Sequence, residues 1–101
     1  MMNIIQNWNN DQLVIALEGR LDISTAPVLQ QVVTDCLDGV TGLVFDLDRL
    51  EYISSVGLRV LLFAQKKMNQ QGTMKVINVN DLLMEVFVNM GFADIMKIEQ
   101  K

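Results

Sequence analysis

Apolar positions along this chain repeat with two periods, one suited to strands and one to helices. Residues 2 to 8 and 12 to 18 read as strands, the second carried by the apolar run Leu13-Val14-Ile15-Ala16-Leu17. The polar turn Asn9-Asn10-Asp11 separates them, which predicts an N-terminal hairpin. Next, Leu29, Val32, Val33, Cys36 and Leu37 recur at the one-face spacing of an amphipathic helix. Ser24 or Thr25 can cap it, and Pro27 falls in its first turn, where a missing N–H is tolerated. A central strand, Leu43-Val44-Phe45-Asp46-Leu47, leads through a polar stretch into a helix from about Ser55 to Gln71 that buries Leu58, Leu61, Leu62 and Met68. Gln70-Gln71-Gly72 supplies its stop. The strand Met74-Lys75-Val76-Ile77-Asn78-Val79 follows. Asp81 is then expected to cap a third helix with Leu82, Leu83, Val86, Phe87 and Met90 on one face. Gly91 ends that helix, Phe92 folds back on its last turn, and a short strand near Ile95 to Ile98 completes the series. Strand-helix-strand units favour parallel neighbours joined by right-handed crossovers. The expected class is α/β, a mixed four- to five-stranded sheet with helices packed mainly on one side.

The junction Ile53-Ser54-Ser55-Val56-Gly57-Leu58 stands out within this pattern, because it places two hydroxyls where an extended segment becomes a helix. The first turn of a helix leaves N–H groups unpaired and carries partial positive charge, so a serine caps it well and a phosphate there is electrostatically favoured. Ser54 or Ser55 is the expected N-cap. Gly57 costs the helix roughly 0.5 to 1 kcal/mol relative to alanine, which implies close approach by a packed strand, a partner chain or a kinase.

Composition narrows the function. The 101 residues, half of them apolar, fit one domain over residues 1–101. The apolar stretches fall short of the roughly 20 residues of a membrane span, and the N-terminus lacks the regions of a signal peptide. A cytoplasmic protein with no membrane insertion is expected. Cys36 is the only cysteine, and its place on an apolar helical face predicts a buried structural thiol. The net charge of −4 offers no basic footprint for nucleic acid. Lys66 and Lys67 suit the end of their helix without any ligand.

There is no histidine, which removes the commonest general base and zinc ligand and excludes serine-histidine catalysis. Asp46 and Asp48, read as lying at the end of the central strand, and Asp22, in the loop before the first helix, are the remaining acid-base or magnesium candidates. Capping and strand-end roles explain them more simply. No phosphate-cradling loop or dinucleotide fingerprint occurs. The expectation is a protein that is not an enzyme, with no cofactor and no metal.

The run Tyr52-Ile53-Ser54-Ser55-Val56-Gly57-Leu58, preceded by Leu43-Val44-Phe45-Asp46-Leu47 and, further upstream, by Gly19-Arg20-Leu21-Asp22, resembles the STAS domain family. The resemblance is closest to stand-alone bacterial anti-sigma-factor antagonists and extends from about Ile4 to Ile98. It implies the STAS fold and a partner switch. In that family the serine two residues before the motif glycine, here Ser55, is phosphorylated by a cognate anti-sigma-factor serine kinase, and Ser54 is a second candidate acceptor. The unmodified form binds the kinase and frees a sigma factor, phosphorylation blocks binding, and a serine phosphatase reverses it. The implied partner-binding residues are Asp22, Ser24, Thr25, Tyr52, Ser54, Ser55, Gly57 and Leu58. This chain has Ser54 where the family often has aspartate, and Arg20 where it often has glutamate. Those departures motivate an alternative, a non-switching cytosolic STAS subunit of a membrane transport complex. A third reading, nucleotide hydrolysis through Asp22 and Asp46, rests on the carboxylates alone.

Overall fold

The computed structural model describes residues 2–101. Its hairpin joins β1 (Met2–Asn9) to β2 (Gln12–Leu21) in antiparallel register, with Asn9 opposite Gln12. Asn10 closes the turn with a left-handed φ of 59°, which asparagine tolerates better than most residues. From there each connection is a crossover. Helix α1 (Ala26–Cys36) leads to β3 (Gly42–Ile53), α2 (Ser55–Asn69) to β4 (Thr73–Val79), and α3 (Asp81–Asn89) with a 3-10 turn at Phe92–Asp94 to β5 (Lys97–Gln100). Each strand from β3 onward pairs parallel with the one before it, so the sheet order is β1-β2-β3-β4-β5.

That order explains the one-sided architecture. Right-handed crossovers that always advance in the same direction lay every helix on the same face of the sheet. Burial follows the strand period of two. Leu13, Ile15 and Leu17 of β2, Leu43, Phe45 and Leu47 of β3, and Met74 and Val76 of β4 are buried beneath the helices. Their alternates Val14, Ala16, Val44, Asp46, Lys75 and Ile77 are half-buried on the opposite face.

The central strand is longer than its apolar run. β3 leaves β4 after Asp46, opposite Ile77, but continues along β2 until Ile53 lies opposite Leu21. Two register shifts, between Ala16 and Glu18 and between Gly19 and Arg20, each accommodate one extra residue of β3. Such bulges twist a strand and re-aim its end. They also bury Leu47, Leu50 and Ile53 at a spacing of three, which disguises the segment as a polar turn. Asp46 and Asp48 therefore lie within the strand and not at its end.

The helices depart from expectation at their margins. In α2, Leu58, Leu61 and Met68 are buried, whereas Leu62 is only half-buried. Cys36 is half-buried as well. Its flank of α1 faces the edge strand β1, where the thiol donates to Gln6 Oε1 at 3.6 Å. Lys67 of the last α2 turn pairs with Asp38 at 3.7 Å. Helix α3 is capped by Asn80, whose Oδ1 accepts from the Leu83 N–H at 2.8 Å, and Asp81 is its first helical residue. Leu83 and Phe87 are buried, Val86 is half-buried, and Leu82 and Met90 are exposed, because only one flank of α3 is covered. Gly91, at φ 77°, ends the helix, and Phe92 turns inward.

Candidate functional site

At the C-terminal end of β2 the chain forms a tight polar turn. Asp22 Oδ1 accepts from the Ser24 hydroxyl at 2.7 Å, the Ser24 N–H at 3.0 Å and the Thr25 N–H at 3.1 Å. The Thr25 hydroxyl accepts from the Asp22 N–H at 2.8 Å and donates to the Arg20 carbonyl at 2.8 Å. The Ser24 hydroxyl, joined by the two N–H donors and Thr25, holds the Asp22 carboxyl down at about 2 against the desolvation that opposes it. A fixed anion at the entrance to α1 results. Thr25 stands at the N-cap position, but its hydroxyl serves this turn and not the helix.

The end of β3 arrives beside it. The Ser54 N–H donates to the Leu21 carbonyl at 2.9 Å, extending the β2–β3 pairing to the start of α2. Ser54 is the N-cap: its backbone is extended, and its hydroxyl accepts from the Gly57 N–H at 3.2 Å. Ser55 is the first helical residue. It is exposed, and its hydroxyl takes part in no hydrogen bond among the described residues. Of the two hydroxyls, one is committed to the fold and the other is free at the surface.

Gly57 explains how strand and helix come so close. A Cβ on Gly57 would lie 2.6 Å from Leu21 Cγ, 2.9 Å from Leu21 Cδ2 and 3.2 Å from Ile53 Cγ1. The close neighbour is therefore a packed strand. Gly57 is buried and Leu58 is 1% exposed, so both support the junction from beneath. Burial of Leu58 is what its helical spacing predicts, and it sets Leu58 and Gly57 apart from the exposed residues that the resemblance grouped with them.

Around the junction lies an apolar rim. Ile23 is 75% exposed at the tip of the polar turn, and Tyr52 is 40% exposed beneath the Arg20 guanidinium, 4.3 Å from its ring centroid. At that separation the cation is attracted to the ring face, which gives Arg20 a place in this site. A groove between the first turns of α1 and α2 is lined by Ala26, Pro27, Gln30, Val56, Arg59 and Val60. The sequence reading missed Ile23, Val56 and Arg59. Their signals were an isolated large apolar residue inside a polar turn and an arginine interrupting an apolar helix.

The structure thus brings Asp22, Ser24, Thr25, Tyr52, Ser54 and Ser55 to one end of the sheet. Asp46 and Asp48 are elsewhere. Asp46 accepts from the Asp48 N–H and from Asn78 Nδ2, each at 3.0 Å, and Asp48 pairs with Lys101 at 2.7 Å. Asp46 lies opposite Ala16, so the stretch of β2 between it and Asp22 is about 20 Å at about 3.3 Å per residue. No single metal ion can take ligands from both carboxylates across that gap, and the hydrolysis reading is set aside. Among the described residues no group of three or more metal-ligating side chains occurs, and no helix is long and apolar enough to cross a membrane.

Comparison with known proteins gives a consistent result. The model of the STAS domain matches residues 3–101. The anti-sigma-B factor antagonist of Bacillus subtilis is 31% identical over 101 residues, spanning 99% of this chain and 91% of that protein. In three dimensions the chain is similar to an anti-sigma factor antagonist from Mycobacterium paratuberculosis, with a TM-score of 0.89 at 22% identity over 100% of this chain and 87% of the other. It is also similar to the Bacillus cell fate determinant SpoIIAA in its phosphorylated form, with a TM-score of 0.76 at 19% identity over 95% and 90% of the two chains.

Proposed function

The chain belongs to the STAS domain family, and from that premise we propose that it is a cytoplasmic anti-sigma-factor antagonist acting as a phosphorylation-controlled partner switch. Antagonists of this family are non-enzymatic binding proteins. In this reading the unmodified protein docks on an anti-sigma-factor serine kinase and frees a sigma factor. The kinase then transfers the terminal phosphoryl group of ATP to the Ser55 hydroxyl oxygen, releasing ADP and the hydroxyl proton. A serine phosphatase restores the hydroxyl by hydrolysis.

The observation that carries the proposal is the division of labour between the two serines. Ser54 is held by its capping bond to Gly57, while Ser55, one residue on, is exposed and unbonded. A kinase can reach Ser55 without dismantling the helix start. Phosphoserine brings about −1.5 to −2 charges. The first turn of α2 tolerates them within the domain. A partner pressed against Ile23, Tyr52 and the α1–α2 groove would have to desolvate them beside the Asp22 carboxylate. A loss of about 3 to 4 kcal/mol weakens binding by two to three orders of magnitude, which is enough for a switch with no rearrangement of the fold.

The test is capture from the native host's lysate with the parent, Ser55→Ala and Ser55→Asp proteins, followed by mass spectrometry of the retained partners and of the bait's serines. The parent and Ser55→Ala proteins should retain a small ATP-binding kinase that Ser55→Asp loses. A folded Ser55→Asp protein that holds the kinase as tightly as the parent would defeat the switch. Retention of the same transport proteins by all three would favour the transporter-subunit reading instead.

A further inference from the structure

Arg59 is the one cation that both lines the α1–α2 groove and stands a single helical turn beyond Ser55. The ion pairs of the described residues are Arg49 with Glu18, Lys67 with Asp38, Lys75 with Glu99 and Lys101 with Asp48, so Arg59 has no carboxylate partner. Residues four apart on a helix bring their Cβ atoms to about 6 Å. Long side chains lean back toward the helix N-terminus, and Arg59 lines the groove together with Val56, so its guanidinium is within reach of the turn that begins with Ser55. Three other charged groups belong to this end of the sheet, one of them the exposed carboxylate of Glu51 in the bulge of β3 beside Arg20. Asp22, on the loop before α1, is an anion that repels a phosphate, and Arg20, on β2, is already stacked on Tyr52 at 4.3 Å.

We propose that Arg59 is the intramolecular receptor for a phosphate on Ser55, and that its capture withdraws the guanidinium from the groove. The inference rests on the reading of Ser55 as the modified residue and adds what modification does to the docking surface. In the unmodified protein the groove presents apolar walls and one unpaired cation, suited to a partner segment with an apolar anchor beside a carboxylate. In the phosphorylated protein the guanidinium pairs with the phosphate, and a single modification both removes the groove's cation and places an anion at its rim. Guanidinium suits this role because its planar fork can grip two phosphate oxygens at once.

The experiment uses full-length protein carrying phosphoserine at position 55 installed during synthesis, so that it depends on no kinase or partner. The second ionisation of the phosphate, ordinarily near pH 6, is followed by phosphorus NMR. Arg59→Gln should raise the midpoint by about 0.3 pH unit or more, Arg59→Lys should recover part of the difference, and Arg20→Gln should leave it unmoved. The guanidinium nitrogen signals of Arg59 should also shift on phosphorylation. Equal midpoints in the parent and Arg59→Gln proteins, or a shift produced by Arg20→Gln alone, would overturn the assignment while leaving the partner switch standing. The switch fails separately, when Ser55→Asp retains the kinase.

Discussion

Replacing Gly57 with alanine tests the packing on which the candidate site is built. At an exposed position in a helix interior the change should stabilise by about 1 kcal/mol, because alanine is the better helix former. Here the new methyl would sit 2.6 Å from Leu21 Cγ, against a side chain that is fully buried and flanked by Ile53. Overpacking of this kind costs about 1 to 3 kcal/mol. Leu21 cannot swing into solvent, so the upper part of that range applies, and the net expectation is a loss of about 1 to 2 kcal/mol. The assay is urea unfolding followed by circular dichroism, where the midpoint should fall with no change in the denaturant slope. Thermal unfolding should drop by about 4 to 8 °C per kcal/mol. Because the Leu21 carbonyl also receives the Ser54 N–H, amide shifts of Ser54 and Ser55 should move in the variant. The double variant Leu21→Ala with Gly57→Ala should be more stable than the sum of the single effects predicts, since the leucine cavity accommodates the new methyl. A Gly57→Ala protein more stable than the parent, or strict additivity in the cycle, would refute the close strand–helix contact as the reason for glycine.

Two further outcomes follow from the same geometry. Ser54→Ala removes the N-cap acceptor and should cost about 1 kcal/mol, whereas Ser55→Ala should stay within about 0.5 kcal/mol of the parent; equal losses in urea unfolding would contradict the assignment of the cap to Ser54. The Asp22 carboxyl, lowered to about 2 chiefly by the Ser24 hydroxyl, is depressed on folding, so its contribution is fully present above its ordinary value near pH 4 and is lost as pH falls through about 2. Carbon NMR of Asp22, with the Ser24 and Thr25 amides as reporters, should show a midpoint near 2 that Ser24→Ala raises. A midpoint near 4 in the parent would mean that the turn does not form.

Local order was legible wherever the chain's own period decides it. The hairpin, the three helices, the parallel strands and the Gly91 stop follow from alternation, from helical spacing and from residues that suit turns, all of which act over a few neighbours in sequence. The pair of serines at a helix start, and so the place of the candidate site, was legible for the same reason. The resemblance to the STAS family located it further. What the sequence left open is decided between elements. The bulges of β3 arise from pairing with β2, so a strand whose buried residues fall three apart looked like a turn and displaced Asp46 and Asp48 to its end. The choice of Ser54 over Ser55 as cap is set by the Leu21 carbonyl, which fixes Ser54 in the extended backbone a cap needs.

By itself, then, the sequence determined the class of fold, the order of its elements and the hydroxyl-bearing junction, because these depend on periodicity and capping within single segments. Tertiary structure alone decided which serine is free, why Gly57 must lack a side chain, and which residues of distant segments share the rim. Ile23 comes from the turn before α1, Tyr52 from the end of β3, and Val56 and Arg59 from the first turns of α2, so the rim joins two segments about thirty residues apart in sequence. They meet because crossovers of one hand, advancing in one direction, bring the C-terminal ends of β2 and β3 and the first turns of α1 and α2 to the same end of the sheet.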